Sequence, residues 1–480
     1  GNGALQTLNY DGSGYNVAVG YDAGVAMTTG VYNVLIGATA GDAITTAEKN
    51  IAIGYGALGA EDTHGRNIAI GDSALLVLNA GAYGYNVAIG HEAGAAMSTG
   101  VQNTLMGGLA GDALTTGNYN IAIGHTALST EDTGNKSVAI GHQALLNQNY
   151  DGDAFNTAVG HNVGAAITSG AENTLMGGLA GDALTTGQRN TAIGTYALGA
   201  DTTGQYSVAI GRGALAAQNF TGGEVSYNVA VGYDAGNDIT TGTMNTLVGA
   251  LTGDALTTGS RNTAMGIGAL GTEDTGSRNT AFGYGSLGTL NYDGNGYNTA
   301  VGYETGTAMT TGTQNTLIGG LAGYNLTTGH YNVAIGMQAL ENEDANGRNV
   351  AIGQEALQTL NAGADGYNVA VGFQAGHLMT TGVTSVLIGG LAGDALTTGS
   401  SNIAIGYAAL GAEDTGSKSI AIGEGALQLQ NNDANNYNVA IGHHAGNVVS
   451  TGVQNVLMGG KAGDALTTGA NNVTIGYGAM

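Results

Sequence analysis

His125, His142 and His161 recur at intervals of 17 and 19 residues. Three imidazoles in one column of a repeating structure form a candidate transition-metal site, and neutral imidazole suits zinc, copper or nickel. A stack of exposed rings at a permissive turn is the competing reading, because no carboxylate stands at that position in these or the flanking coils. Tyr15, Tyr85, Phe155, Tyr227, Tyr297, Tyr367 and Tyr437 place an aromatic ring in each block of about 70 residues. Such rings are candidate platforms for sugar stacking, or lids that close a neighbouring loop against the core. Asp11-Gly-Ser-Gly, Asp151-Gly-Asp153 and Asp293-Gly-Asn-Gly are oxygen-rich turns, which makes calcium the one candidate cofactor. Ordinary turn chemistry is the alternative there, and Asn79-Ala-Gly-Ala breaks the pattern. Ser, His and Asp nowhere gather into a catalytic signature. The Gly-x-Gly-x-x-Gly matches, as at Gly54–Gly59, have no helical segment after them. The chain is therefore expected to be a non-enzyme.

All of these residues ride on one template: Asn or Ser, a β-branched residue, a small or apolar residue, an apolar residue, then Gly. It runs from Asn16-Val-Ala-Val-Gly20 to Asn472-Val-Thr-Ile-Gly476 in 27 copies. Copies are 17 residues apart, except that every fourth step is 19, or 21 before Asn228. With the leading Asn or Ser as position 0, positions +1 and +3 alternate as the same face of a short strand. Gly at +4 marks a bend, and the Thr-Thr-Gly or Asp-Thr-Gly cluster near +12 to +14 marks a second turn. A period this strict specifies an all-β, parallel β-solenoid (β-helix or β-roll) of 17-residue coils with a 70-residue four-coil superrepeat. Residues 1–480 are expected to form a single continuous solenoid of about seven superrepeats with no separate domain. At ~4.8 Å per coil the stack would be on the order of 130 Å long. A seven-bladed ring also fits the count, but blades are antiparallel meanders and the uniform template argues against them.

Coils differ inside the template. First and second coils carry Gly at +8 with a large apolar residue at +11, as in Gly24 with Met27. Third coils carry Leu at +8 and an acid at +11, as in Leu58 with Glu61, Leu128 with Glu131 and Leu198 with Asp201. This exchange is expected to keep the interior filled once per coil, since cores tolerate neither voids nor overpacking. Basic residues cluster at −1, as in Glu61-Asp62…Arg66, Glu273-Asp274…Arg278 and Glu343-Asp344…Arg348. That spacing predicts ion pairing across a surface turn.

A net charge of −25 disfavours nucleic acid and anionic membranes as partners. Glycine accounts for 89 residues, while proline and cysteine are both absent. Frequent turning without loss of backbone donors, and no disulfide or thiolate chemistry, follow from that composition. No apolar run approaches the ~20 residues of a membrane span, so no membrane insertion is expected. The chain opens at Gly1 and stops at Met480 partway through coils, as a portion of something longer would.

The runs Asn86-Val-Ala-Ile-Gly, Asn120-Ile-Ala-Ile-Gly-His-Thr-Ala-Leu and Asn402-Ile-Ala-Ile-Gly-Tyr-Ala-Ala-Leu resemble two related repeat groups. One is the head of YadA-like trimeric autotransporter adhesins. The other, closer in its Thr-Thr-Gly turn and 17-residue step, is the tandem repeat of phage and bacterial tail fibres. The resemblance implies left-handed parallel coils, often three chains about one axis, in a fibre that binds surfaces. It implies an extracellular, virion-surface or cell-surface location, with self-association as a homotrimer or filament and a host or cell-surface glycan or receptor as partner. The 70-residue superperiod departs from the adhesin pattern. A structural filament assembled end to end, glycosylated or not, is the alternative function, and an ice-binding solenoid is a third.

Overall fold

The computed structural model describes residues 1–479; the expected stop at Met480 lies outside them. They contain 27 strands of three residues each and no helix. Two compact units divide the chain, one ending at Thr243 and the other starting at Met244. In the first unit, β1 (Val17–Val19) pairs in parallel with β2 (Val34–Ile36), and the pattern continues to β13 (Val229–Val231). In the second, the same ladder runs from β14 (Thr246–Val248) to β27 (Val473–Ile475). Register follows the template position for position, as in Val17↔Val34, Ala18↔Leu35 and Val19↔Ile36. Each unit is thus a parallel β-solenoid, with strands about 17 residues apart in the chain.

The middle strand residue at +2 faces the coil interior and, in all but the first and last strands, is fully buried, as are Ala52, Ala69 and Leu105. Positions +1 and +3 face outward and remain partly exposed in every strand. Below the strand lies a buried ladder of position-0 side chains. Asn120 is typical: its backbone N–H donates to Asn103 Oδ1 at 2.8 Å, and its own Nδ2 donates to the Gly134 carbonyl at 2.8 Å.

Glycine at +4 is invariant for a steric reason. A Cβ on Gly124 would lie 2.3 Å from the Gly141 carbonyl oxygen of the next coil, and its φ is +137°. Interior volume is shared between neighbouring coils. Second coils carry Leu at +2, and Leu35 would collide with a Cβ at either Gly24 or Gly41, at 2.7 and 2.9 Å. In the complete third and fourth coils the +2 residue is Ala and Leu at +8 fills the space, as Leu58 and Leu75 do. Those leucines hold left-handed backbone (φ 54° and 51°), a conformation that L-residues keep only where packing over-determines it.

Gly124→Ala is expected to destabilise its coil by on the order of 3 kcal/mol through combined strain and overlap. The check is amide exchange in β7 (Ile121–Ile123) and β8 (Val138–Ile140), which should accelerate while remote coils stay protected.

Candidate functional site

The third-coil acids are inside the solenoid, not at its surface. Glu61, Glu131, Asp201, Glu273, Glu343 and Glu413 have no solvent exposure. The expectation that Leu at +8 and a residue at +11 alternate in filling the interior is therefore corrected: Leu58 and Glu61 are both fully buried. The acid is there for hydrogen bonding. Glu131 accepts the Gly134 N–H at 2.8 Å and the Tyr150 N–H at 3.2 Å, tying its own turn to the lengthened loop of the fourth coil. Asp201 does the same with Gly204 and Phe220, at 3.0 and 3.1 Å. A buried carboxyl group of this kind orders the extra loop residues that distinguish the fourth coil.

Two versions of the arrangement occur. Where position 0 of the fourth coil is Ser, its +11 residue is Gln: Ser137 with Gln148, Ser207 with Gln218, Ser419 with Gln430. Where position 0 is Asn, +11 is Leu: Asn67 with Leu78, Asn279 with Leu290, Asn349 with Leu360. The shorter Ser leaves room that the Gln amide occupies. Gln148 Nε2 donates to Glu131 Oε2 (2.9 Å) and Ser137 Oγ (2.8 Å), and its Oε1 accepts from Asn156 Nδ2 (2.8 Å). Gln430 repeats these contacts with Glu413, Ser419 and Asn438. In the Asn and Leu version the amides of Asn67 and Asn279 have no acceptor, and the acid faces an apolar neighbour. Burial pushes Glu61 and Glu273 up to about 7, against the backbone N–H groups that favour the anion. Burial also raises Glu131, with Gln148 opposing it.

The expected ion pairs across the surface turn do not form between Glu61, Glu273 or Glu343 and the following Arg, because those carboxylates point inward. The cations run along the stack instead. Arg66 reaches Glu48 at 3.4 Å, and Lys136 reaches Asp153 at 2.7 Å. Arg348 pairs with Asp365. Each of Arg66, Lys136, Arg278, Arg348 and Lys418 also lies 5.1–5.5 Å from the aromatic of the next coil, at Tyr85, Phe155, Tyr297, Tyr367 and Tyr437 respectively. Those rings are about half exposed, as are Tyr15 and Tyr227, which stand beside Tyr32 and Tyr206 at 5.4 and 5.5 Å. None is a buried lid, and ring faces are partly engaged by cations or neighbouring rings.

His125, His142 and His161 come together as a stack, with centroids 5.7 and 5.1 Å apart and rings 11° and 10° from parallel. Parallel rings direct their in-plane nitrogen lone pairs side by side, not toward one point. In the lengthened loops, Asp151 and Asp293 each accept a Thr hydroxyl from the preceding coil at 2.7 Å, from Thr133 and Thr275. Among the described residues, two other groups bring three ligand atoms within 4.8 Å of one another: Glu61, Asp62 and His64, and Glu424, His443 and His444. The linked Ser and Gln substitutions were visible in the sequence as a co-occurrence within fourth coils. No protein-family model matches the chain, and no curated protein matches it either.

A carboxyl group raised in the folded state contributes its stabilisation below the unfolded value near 4.3, and loses it as pH rises through about 7. Glu273→Gln is therefore expected to stabilise its block at pH 8, by on the order of 1–2 kcal/mol, and to change little at pH 5. Slower exchange of the Gly276 and Tyr292 amides at pH 8 is the check; faster exchange would mean that the ionised form is the stabilising one.

Proposed function

We propose that this chain is an extracellular, self-associating structural protein, a solenoid element of a fibre whose copies pack through the outer face of the strand ladder. The observation that carries this reading is the composition of that face. Position +1 is Val, Ile or Thr and position +3 is Val, Ile, Met or Phe in every coil, with no charged residue in either column. Val19, Ile36, Met106, Met176, Met265, Val301 and Met458 are all among the exposed large apolar side chains. A chain with a net charge of −25 that keeps two adjacent columns free of charge has a surface suited to contact. Over the thirteen strands of the first unit, every +1 and +3 side chain is at least partly exposed, so the face runs the length of the ladder.

A second copy is the occupant that matches best. Side chains on this face recur at the coil spacing, so another solenoid meets them in register, whereas an aperiodic partner would match only a few coils. Tail-fibre and adhesin roles, with receptor or glycan contact, rest on the repeat resemblance. The half-exposed aromatic column supports a surface-binding role on the rest of the coil, through ring edges and hydroxyls.

Ile123→Glu with Ile140→Glu places two like charges on adjacent strands of this face without touching the interior. The expected result by light scattering is an oligomer for the native chain and a shift of at least tenfold toward monomer for the variant. A native chain that is monomeric at micromolar concentration, or a variant of unchanged mass, would contradict the reading.

A further inference from the structure

Six third coils carry the buried acid, and two of them depart from the others. Position +14, which follows the acid by three residues, is Gly134, Gly204, Gly276 and Gly416 in four coils, Asn346 in one, and His64 in the first. Glycine has a steric reason to be there. A Cβ at Gly276 or Gly416 would come within 2.3 or 2.4 Å of the Glu273 or Glu413 carboxyl carbon. The two acids followed by a larger residue, Glu61 and Glu343, also belong to blocks with Leu78 and Leu360 in place of the Gln that donates to the acid. Glu61 and Glu343 are the two acids of this set whose Oε2 is buried with no hydrogen-bond partner.

The two exceptions resolve this differently. Asn346 turns its amide back and donates to Glu343 Oε1 at 2.9 Å. His64 offers no such donor to Glu61 from its side chain; its backbone N–H alone donates to Oε1, at 3.0 Å. The turn itself has also moved. In the sister coils the position-0 Asn donates Nδ2 to the +14 carbonyl, as Asn120 does to Gly134 and Asn190 to Gly204 at 2.8 and 2.9 Å. Asn50 Nδ2 has no acceptor. The first block therefore keeps an imidazole where its sisters use glycine, at the expense of two satisfied buried polar atoms.

What the imidazole gains is proximity to two carboxylates. One oxygen each from Glu61 and Asp62 and one ring nitrogen of His64 lie within 4.8 Å of one another. The Thr63 hydroxyl bridges Asp62 Oδ1 and His64 Nδ1, 3.0 Å from each, and so holds both side chains on one side of the turn. Such an outer contact orients ligands at metal centres. The guanidinium of Arg66, two residues on, is drawn toward Glu48 at 3.4 Å and Tyr85. The geometry points to a divalent transition-metal site formed by Glu61, Asp62 and His64 at the first buried-acid turn. One imidazole and two carboxylates suit Zn²⁺, with its open positions left to water. Closing the three atoms to ~2 Å from an ion needs movements of about 1 Å, within side-chain reach. A cation there would also complete the coordination of Glu61 Oε2, the atom that the turn leaves unpaired.

The test is calorimetric titration of the full chain with Zn²⁺ alone, in a His443→Ala, His444→Ala background that silences the exposed Glu424 cluster. One Zn²⁺ is expected to bind whose affinity falls at least tenfold in His64→Gly and in Glu61→Gln. His64→Gly installs the residue that four sister coils carry, so the variant is expected to fold, and Asn50 Nδ2 should gain the turn carbonyl as an acceptor, as Asn120 has with Gly134. X-ray absorption should show a single imidazole among oxygen ligands. Unchanged Zn²⁺ stoichiometry and affinity in His64→Gly, or a multi-imidazole signature traceable to His125, His142 and His161, would overturn the assignment.

Discussion

A buried position-0 Asn whose amide finds a turn carbonyl ties three pieces of backbone at once, and the rest of the coil is arranged around that tie. Asn103 takes the Asn120 N–H on Oδ1, gives its own N–H to Asn86 Oδ1, and spends Nδ2 on the Gly117 carbonyl. A net gain near 1 kcal/mol per bond is modest, but leaving any of these buried groups unpaired would lose 1–3 kcal/mol. A slip of one residue between coils would orphan all of them together. The strands are only three residues long, too short to hold register by themselves, so the side-chain ladder is what makes stacking in one register far better than any other.

From that constraint the other positions follow. The Asn column sets the distance between coils, and at that distance only glycine fits at +4, where a Cβ would meet the next coil's carbonyl. Fixed spacing also makes volume a shared quantity: one Leu at +2 serves two coils and obliges Gly at +8 in both. In fourth coils the turn carbonyl that would accept Nδ2 has moved, because the loop is longer. Asn67 and Asn279 are left with idle amides, whereas Ser with Gln rebuilds the network around the buried acid. The superrepeat thus arises as the ladder's accommodation to a longer loop.

The coil, its period and its parallel stacking could be read from the sequence because they rest on local alternation and invariant glycines. Less accessible was the side of the strand that faces in. Val17 and Val19 look like core residues by type, yet Ala18 lies on the inner side and the valines are outside. Composition misleads here because a narrow coil has room for little more than Ala or one Leu beneath each strand, so bulky β-branched side chains go outward. Glu131 was misjudged for the same reason: an acid looks like a surface residue until the loop N–H groups that it serves are placed. The surface columns, from the His125 stack to the ring beside Arg66, follow the repeat spacing, but ring orientation depends on contacts between coils that spacing does not encode.

The ladder claim is tested most directly by amide exchange in Asn103→Leu, a change that keeps the branched shape and the number of side-chain heavy atoms but removes both ends of one tie. The account predicts accelerated exchange at the Asn120 N–H, which loses its acceptor, spreading to the adjacent turn while a remote tie such as Asn190 to Asn173 stays protected. Unchanged protection at Asn120 would contradict it, and would mean that strand pairing and apolar packing hold the coils in register without the buried amides.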